Sequence, residues 1–180
     1  MLDDAELLRR AYELDTDALA AIHDAYYQPL YRYVSFRVGD RHTCEDLVSE
    51  VFTRFLSALR QRKAPHSSLR GWLFGVAANV VNDHFRHSYR APSALLDEDI
   101  VSREPLPAEV AEQAAISEEL RRAITNLTED QQQVLALRFG QRMPIQEVAR
   151  LLGKTEGAVK QLQMRAIAAL ARQMAPGMVE

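Results

Sequence analysis

The sequence predicts an all-α protein built as two small helical domains joined by an acidic flexible linker, the C-terminal one containing a helix-turn-helix. Three observations support this. Apolar residues recur at three- and four-residue steps along most of the chain, and no run alternates as a half-buried strand would. That pattern lapses from Ala91 to about Pro107, where Pro92, Pro105 and Pro107 stand among Asp97, Glu98, Asp99 and Glu104. Gly153 and Thr155 then fall between two amphipathic stretches as a helix stop and a helix start. The domains are accordingly placed at 1–90 and 108–180, with 91–107 as linker. At about 3.3–3.6 Å per residue the linker reaches roughly 55–60 Å at most, enough for the two halves to stand well apart.

A 180-residue chain that is 47% hydrophobic can close a real core. Its single cysteine, Cys44, excludes an internal disulfide framework. No basic, apolar and cleavable leader opens the chain, and no apolar run approaches the roughly 20 residues that cross a bilayer. A soluble cytoplasmic protein without membrane insertion is expected. The net charge of −3 argues against nucleic acid only until it is resolved along the chain. Residues 1–53 are net −6, 54–90 net +6, 91–120 net −7 and 121–180 net +4. Two basic blocks alternate with two acidic ones, and a basic block is the electrostatic footprint of a phosphate backbone.

The first element is a short helix from Asp3 to Glu13 with Leu7 and Leu8 on its apolar side. A longer helix starts at Asp15 or Thr16, runs through Leu19, Ile22, Tyr26, Leu30 and Val34 with a bend at Pro29, and ends at Gly39-Asp40. Tyr26, Tyr27, Tyr31, Tyr33 and Phe36 fall at helical spacing and are read as core, not as a base-stacking platform. The next helix is capped by Thr43 and runs to about Gln61. Leu47, Val51, Phe55 and Leu59 form its buried stripe, while Asp46, Glu50 and Arg54 line another face at four-residue intervals.

A polar loop, Arg62 to Ser68, precedes a helix over Leu69 to His87. Trp72, Leu73, Val76, Ala77, Val80 and Val81 make its apolar surface, and Asn79, Asp83, Arg86 and Arg90 follow one polar side. His84 and His87 lack a further ligand pair at metal-binding spacing, so no metal is assigned to them with His42 or Cys44. Periodicity returns at Ala108 with Val110, Ala114, Ile116, Leu120, Ile124 and Leu127. Thr128 and Gln131 form a capping box for a helix carrying Val134, Leu135, Leu137 and Phe139, which ends at Gly140.

Pro144 is placed in the first turn of a short helix that Gly153 stops. Thr155 caps the next, whose Val159, Leu162, Ala166 and Leu170 form the apolar face; the small Ala149 permits a close crossing. The opposite face presents Glu156, Lys160, Gln161, Met164 and Arg165, cations and amides suited to phosphates and to base edges in a major groove. From Arg138 to Arg172 seven cations stand against Glu147 and Glu156. Arg150 and Arg172 are placed beside the DNA backbone.

With both halves laid out, the chain resembles a bacterial RNA polymerase sigma factor of the small, two-domain extracytoplasmic-function type, within the sigma-70 superfamily. Three stretches carry the resemblance. Cys44-Glu45-Asp46-Leu47-Val48-Ser49-Glu50-Val51-Phe52 is similar to the helix that docks on the clamp helices of the polymerase largest subunit. The resemblance implies a core-binding role for Asp46, Leu47, Glu50 and Phe52. Leu69-Arg70-Gly71-Trp72-Leu73-Phe74-Gly75-Val76-Ala77-Ala78-Asn79, followed by Asp83 and Arg86, is similar to the segment that opens and reads the minus-10 element. It implies that role for Arg62, Lys63, Ser67, Ser68, Arg70, Trp72, Asn79, Asp83 and Arg86.

Asn126 to Leu135, then Glu147-Val148-Ala149, Leu152-Gly153 and Gly157-Ala158-Val159-Lys160, resembles the domain that binds the minus-35 element. The residues implied there are Arg150, Lys154, Thr155, Glu156, Lys160, Gln161, Met164, Arg165 and Arg172. The partners implied are the polymerase core, through clamp helices and flap, promoter DNA, and an anti-sigma factor. Two positions depart from the family pattern: Leu69 stands where an aromatic residue is common, and Leu162-Gln163 replaces a basic-then-apolar pair. Promoter opening needs no nucleophile or cofactor, only a surface that captures unstacked bases, and no catalytic residue or cofactor is assigned. A stand-alone helix-turn-helix regulator with an N-terminal sensing or dimerising domain is the alternative, against which the Asp46/Glu50 face and the tryptophan segment argue.

Overall fold

The computed structural model describes residues 3–65, 68–90 and 118–175, and among these every regular element is a helix. In order they are α1 (Asp4–Ala11), α2 (Thr16–Arg37), α3 (Arg41–Arg60), α4 (Leu69–Arg90), α5 (118–125), α6 (Glu129–Leu135), α7 (Ile145–Leu152) and α8 (Glu156–Met174). Ser67, the 91–107 linker and the apolar positions Val110, Ala114 and Ile116 lie outside the described residues.

Local chemistry sets most helix ends. The Asp15 carboxylate caps α2 by accepting from the Asp17 and Ala18 amides at 2.9 and 3.2 Å. Helix α3 starts two residues before Thr43 because Asp40 is the cap, accepting from both the amide and the hydroxyl of Thr43 at 2.7 Å. These bonds to the ionised form hold the Asp40 carboxyl below the usual carboxylate range. The Thr128–Gln131 capping box forms as expected. Pro144 stands one residue before its helix, at φ −60° and ψ 150°. Its ring fixes φ but leaves ψ free to be extended, and its carbonyl still accepts from the Glu147 and Val148 amides at 3.1 Å.

Beyond α6 the chain widens into a π turn, Ala136–Gly140, closed by the Gln141 amide on the Ala136 carbonyl at 3.1 Å. The extra residue in that turn rotates the following face, so Phe139, expected inside, is 58% exposed. Pro29 sits within α2 without ending it. The aromatic residues of α2 pack as expected: Tyr26 and Tyr33 are buried, and Tyr33 meets Phe74 edge-on at 5.5 Å.

The two halves, which the linker length would allow to stand apart, pack against each other. One buried cluster runs from Leu7 in α1 through Phe55, Leu73 and Phe74 to Met143, Val148 and Val159. Helix α7 lies on α4 and the π turn lies on α2. The seam is also polar. Arg37 donates to Gln132 Oε1 at 3.0 Å and to Asn82 Oδ1 at 2.9 Å, and Gln133 donates to the same Asn82 oxygen at 3.2 Å. Gln141 donates to the Pro29 carbonyl at 3.1 Å, and its own carbonyl accepts from Arg70.

Candidate nucleic-acid and partner interfaces

Helix α3 turns Asp46 and Glu50 to the surface one turn apart, while Cys44, Val48, Val51, Phe55 and Leu59 fill the core. Glu50 accepts from Arg54 Nε at 2.8 Å, and the same guanidinium approaches Asp83 Oδ2 of α4 at 3.7 Å. Asp83 in turn stands 3.9 Å from Arg86. The acidic face of α3 is thus continuous with the polar side of α4 through Arg54. The side chains on this path are each more than 40% exposed, so it positions groups and adds little stability. Phe52 does not join it: its ring lies 4.7 Å from His23 of α2, on another side of α3, and Leu47 is partly buried against the core. The neighbouring Leu56, 40% exposed, carries no signal in the sequence that separates it from the buried stripe.

On α4, Trp72, Asn79, Asp83 and Arg86 step by seven, four and three residues and therefore line one side. Trp72 is partly buried, its ring 5.6 Å from that of Phe55, whereas Asn79 and Arg86 are exposed. Arg70 precedes Trp72 by two residues and so points the other way, into the seam, where the Gln141 carbonyl takes its guanidinium. Ser68 spends its hydroxyl as a cap for α4, accepting from the Gly71 amide at 3.1 Å. A Cβ on Gly71 would meet that oxygen at 2.9 Å, so a larger residue there would push the Ser68 hydroxyl aside.

The loop between α3 and α4 opens with Arg62 in the left-handed region at φ 53°. Lys63 and Ala64 both return their amides to the Ala58 carbonyl, at 2.8 and 3.2 Å, and the Ala64 carbonyl accepts from Tyr12 of α1. A non-glycine residue held there is strained. Arg62→Gly should therefore raise the unfolding free energy by about 1 kcal/mol in a denaturant titration. A lowered midpoint would show instead that Arg62 makes contacts worth more than its strain.

The helix-turn-helix is built as read. Gly153 takes φ 64° and ψ 33°, and Thr155 accepts from the Ala158 amide at 3.1 Å. Val148, Ala149, Val159 and Ala166 are buried between α7 and α8 and the rest of the fold. Glu156, Lys160, Gln161, Met164, Arg165, Arg172 and, on α7, Arg150 are all exposed, Met164 to 70%. Lys154 is the exception in this set: its ammonium is 2.8 Å from Asp130 of α6, which ties the turn to the preceding helix. Among the described residues no group of His, Cys, Asp or Glu is arranged to hold a metal, and no helix is long and apolar enough to cross a membrane.

The seam residues Arg37, Asn82, Gln132, Gln133 and Gln141 were missed by sequence reasoning. The available signal was Arg37 at the end of a largely apolar helix and a run of three glutamines where a helix needs only one for its capping box.

Among the described residues, all of whose regular elements are helices, an acid-faced helix, a tryptophan-bearing polar helix and a cationic helix-turn-helix are the features expected of a DNA-binding factor. Comparison with known proteins supplies the family. The family model for Sigma-70 region 2 matches residues 22–91 and that for Sigma-70, region 4 matches residues 123–172. The sigma factor BldN of Streptomyces coelicolor is 38% identical over 173 residues, covering 93% of this chain; the match spans 64% of BldN's own length. SigX of Bacillus subtilis is 33% identical over 159 residues, 85% of this chain and 81% of SigX, and ShbA of Streptomyces griseus is 32% identical over 177 residues, 91% of each. In fold the chain is similar to CnrH, solved in complex with the cytosolic domain of CnrY, with a TM-score of 0.69 at 23% identity over 94% of this chain and 95% of CnrH. The chain belongs to the extracytoplasmic-function family of RNA polymerase sigma factors, which are DNA-binding factors of transcription initiation.

Proposed function

We propose that this chain is an alternative sigma factor of the cytoplasm that binds RNA polymerase core through the Asp46/Glu50 face of α3. It captures melted minus-10 bases along the Trp72–Asn79–Asp83–Arg86 side of α4 and reads minus-35 DNA with the exposed face of α8. An anti-sigma factor is the expected inhibitory partner. The observation that supports the reading most is the continuity of the α3 acidic face with the polar side of α4 through Arg54; on this reading polymerase docking and strand capture are neighbours, and base readout belongs to α8. No catalytic step is involved; the work is binding and strand separation.

The minus-35 assignment is tested within one helix. Gln161 offers only amide hydrogen bonds, so Gln161→Ala should change the preferred base at one minus-35 position by roughly 1–3 kcal/mol with little change in salt dependence. Arg172→Ala should weaken all sequences alike and make the salt slope shallower by about one unit. Selection of minus-35 duplexes by the two variants checks both. An altered preference for Arg172→Ala with an unchanged one for Gln161→Ala would mean that α8 docks the other way round.

A further inference from the structure

Helix α1 precedes residues 22–91, the stretch that the Sigma-70 region 2 family model matches, and it is fixed at both ends. At its start Asp4 accepts from the Tyr26 hydroxyl of α2. Near its end Arg10 pairs with Asp15 at 2.8 Å, and Asp15 is at the same time the cap of α2. Leu7, Leu8 and Ala11 between these ties are buried. An eight-residue helix is unstable by itself in water, so α1 owes its existence to such contacts. The turn that follows takes Leu14 into the left-handed region at φ 57°, which a leucine adopts where its surroundings hold it there.

Tyr12, the residue just past α1, reaches across 52 positions and donates its hydroxyl to the Ala64 carbonyl. The Ala64 amide is already on the Ala58 carbonyl at 3.2 Å, so both backbone polar groups of Ala64 are held, one from α3 and one from the end of α1. Ala64 is 4% exposed, whereas Arg62 and Lys63 just before it are exposed. A buried anchor thus presents two outward cations. On the α1 side the loop borders an open cleft of about 420 Å³ lined by Ala5, Leu8, Arg9, Tyr12, Glu13 and Arg62. Released from the Tyr12 hydroxyl, the loop has room to shift into that cleft.

From this we propose that Tyr12 is a positioning residue for promoter opening: its hydroxyl fixes residues 62–65 where Arg62 and Lys63 meet the melted minus-10 strand, and so sets which base is accepted beside the loop. The inference rests on the minus-10 capture proposed above and extends it from α4 to this loop and to α1. Hydrogen bonds to a base weaken steeply outside a narrow range of distance and angle, so a loop displaced by about 1 Å discriminates poorly. Attraction of the same cations to phosphates falls off slowly with distance and survives the displacement. Loss of the hydroxyl therefore reduces base preference far more than binding.

The test compares the wild-type chain, Tyr12→Phe and Val34→Ala, each assembled with purified core polymerase on promoters randomised across the minus-10 element. Tyr12→Phe keeps the ring and deletes the hydroxyl; Val34→Ala removes buried methyl groups from the core of α2 and controls for lost stability. Tyr12→Phe should lower discrimination at one minus-10 position about fivefold, the equivalent of one net hydrogen bond, with core affinity, minus-35 selection and salt dependence within about twofold of wild type. Its melting temperature should fall by about 2–4 °C, and hydrogen exchange at the Ala64 amide should quicken about fivefold in the free chain. Val34→Ala should melt at least as early yet select the same minus-10 bases, which a merely structural role of Tyr12 would not predict. Unaltered selection by Tyr12→Phe where the wild type opens promoters, or an equal loss of preference in Val34→Ala, would overturn the positioning role and leave minus-10 capture standing. A wild-type holoenzyme that opens no promoter would remove minus-10 capture itself, and the positioning role with it.

Discussion

Asp46→Arg together with Glu50→Arg should abolish association with RNA polymerase core, by more than about 100-fold in a binding titration, with helical content unchanged. Both carboxylates are on the outward face of α3, outside the stripe of Cys44, Val48, Val51, Phe55 and Leu59 that holds the helix in the core, so the fold tolerates the exchange. The change turns an acidic docking face into a basic one, and like-charge juxtaposition across an interface costs several kcal/mol, as against the fraction of a kcal/mol carried by an exposed ion pair within the chain. The Glu50–Arg54 pair, with N···O at 2.8 Å and both side chains more than 40% exposed, is lost in the process without measurable effect on stability. Co-purification with core at wild-type yield would remove α3 as the docking element.

The second large effect is expected on strand opening. Asn79→Ala and Arg86→Ala should each lower open-complex formation about ten- to 100-fold while leaving core binding within about twofold, since a captured base is worth roughly 1–3 kcal/mol. Neither residue packs in the core: Asn79 is exposed, and the exposed Arg86 stands 3.9 Å from Asp83. Permanganate reactivity of promoter thymines reports the melted strand directly. Wild-type reactivity in both variants would make this side of α4 structural.

What the sequence discloses here is what is encoded locally. The Thr128–Gln131 capping box, the left-handed Gly153 and the Thr155 cap each involve residues at most three positions apart, and each formed where it was read. The same holds for the exposed series on α8, because helical periodicity alone separates Val159 and Ala166 from Lys160, Gln161 and Met164. Competition between two nearby signals produced the small errors: Asp40 outcompetes Thr43 as a cap, and Pro144 takes the cap position in place of the first helical turn.

The larger omissions have a different cause. Arg37 meets Asn82 and Gln132 across 45 and 95 residues, and no local pattern announces such partners. The π turn at Ala136–Gly140 inserts one residue into a helical register and so puts Phe139 outside, against the periodic reading. Arg70 and Phe52 belong to the expected stretches of sequence but not to the expected faces, because two residues of helix are enough to turn a side chain away from its neighbours.

The central claim, that this chain directs core polymerase to promoters, is tested most directly by transcription in vitro from a promoter library with purified bacterial core polymerase, with and without the protein. Transcripts should appear only with the protein, start downstream of a shared pair of minus-35 and minus-10 sequences, and disappear with the Asp46→Arg/Glu50→Arg variant. Protein that binds duplex DNA yet yields no specific transcript with core would contradict the account and leave a helix-turn-helix regulator in its place.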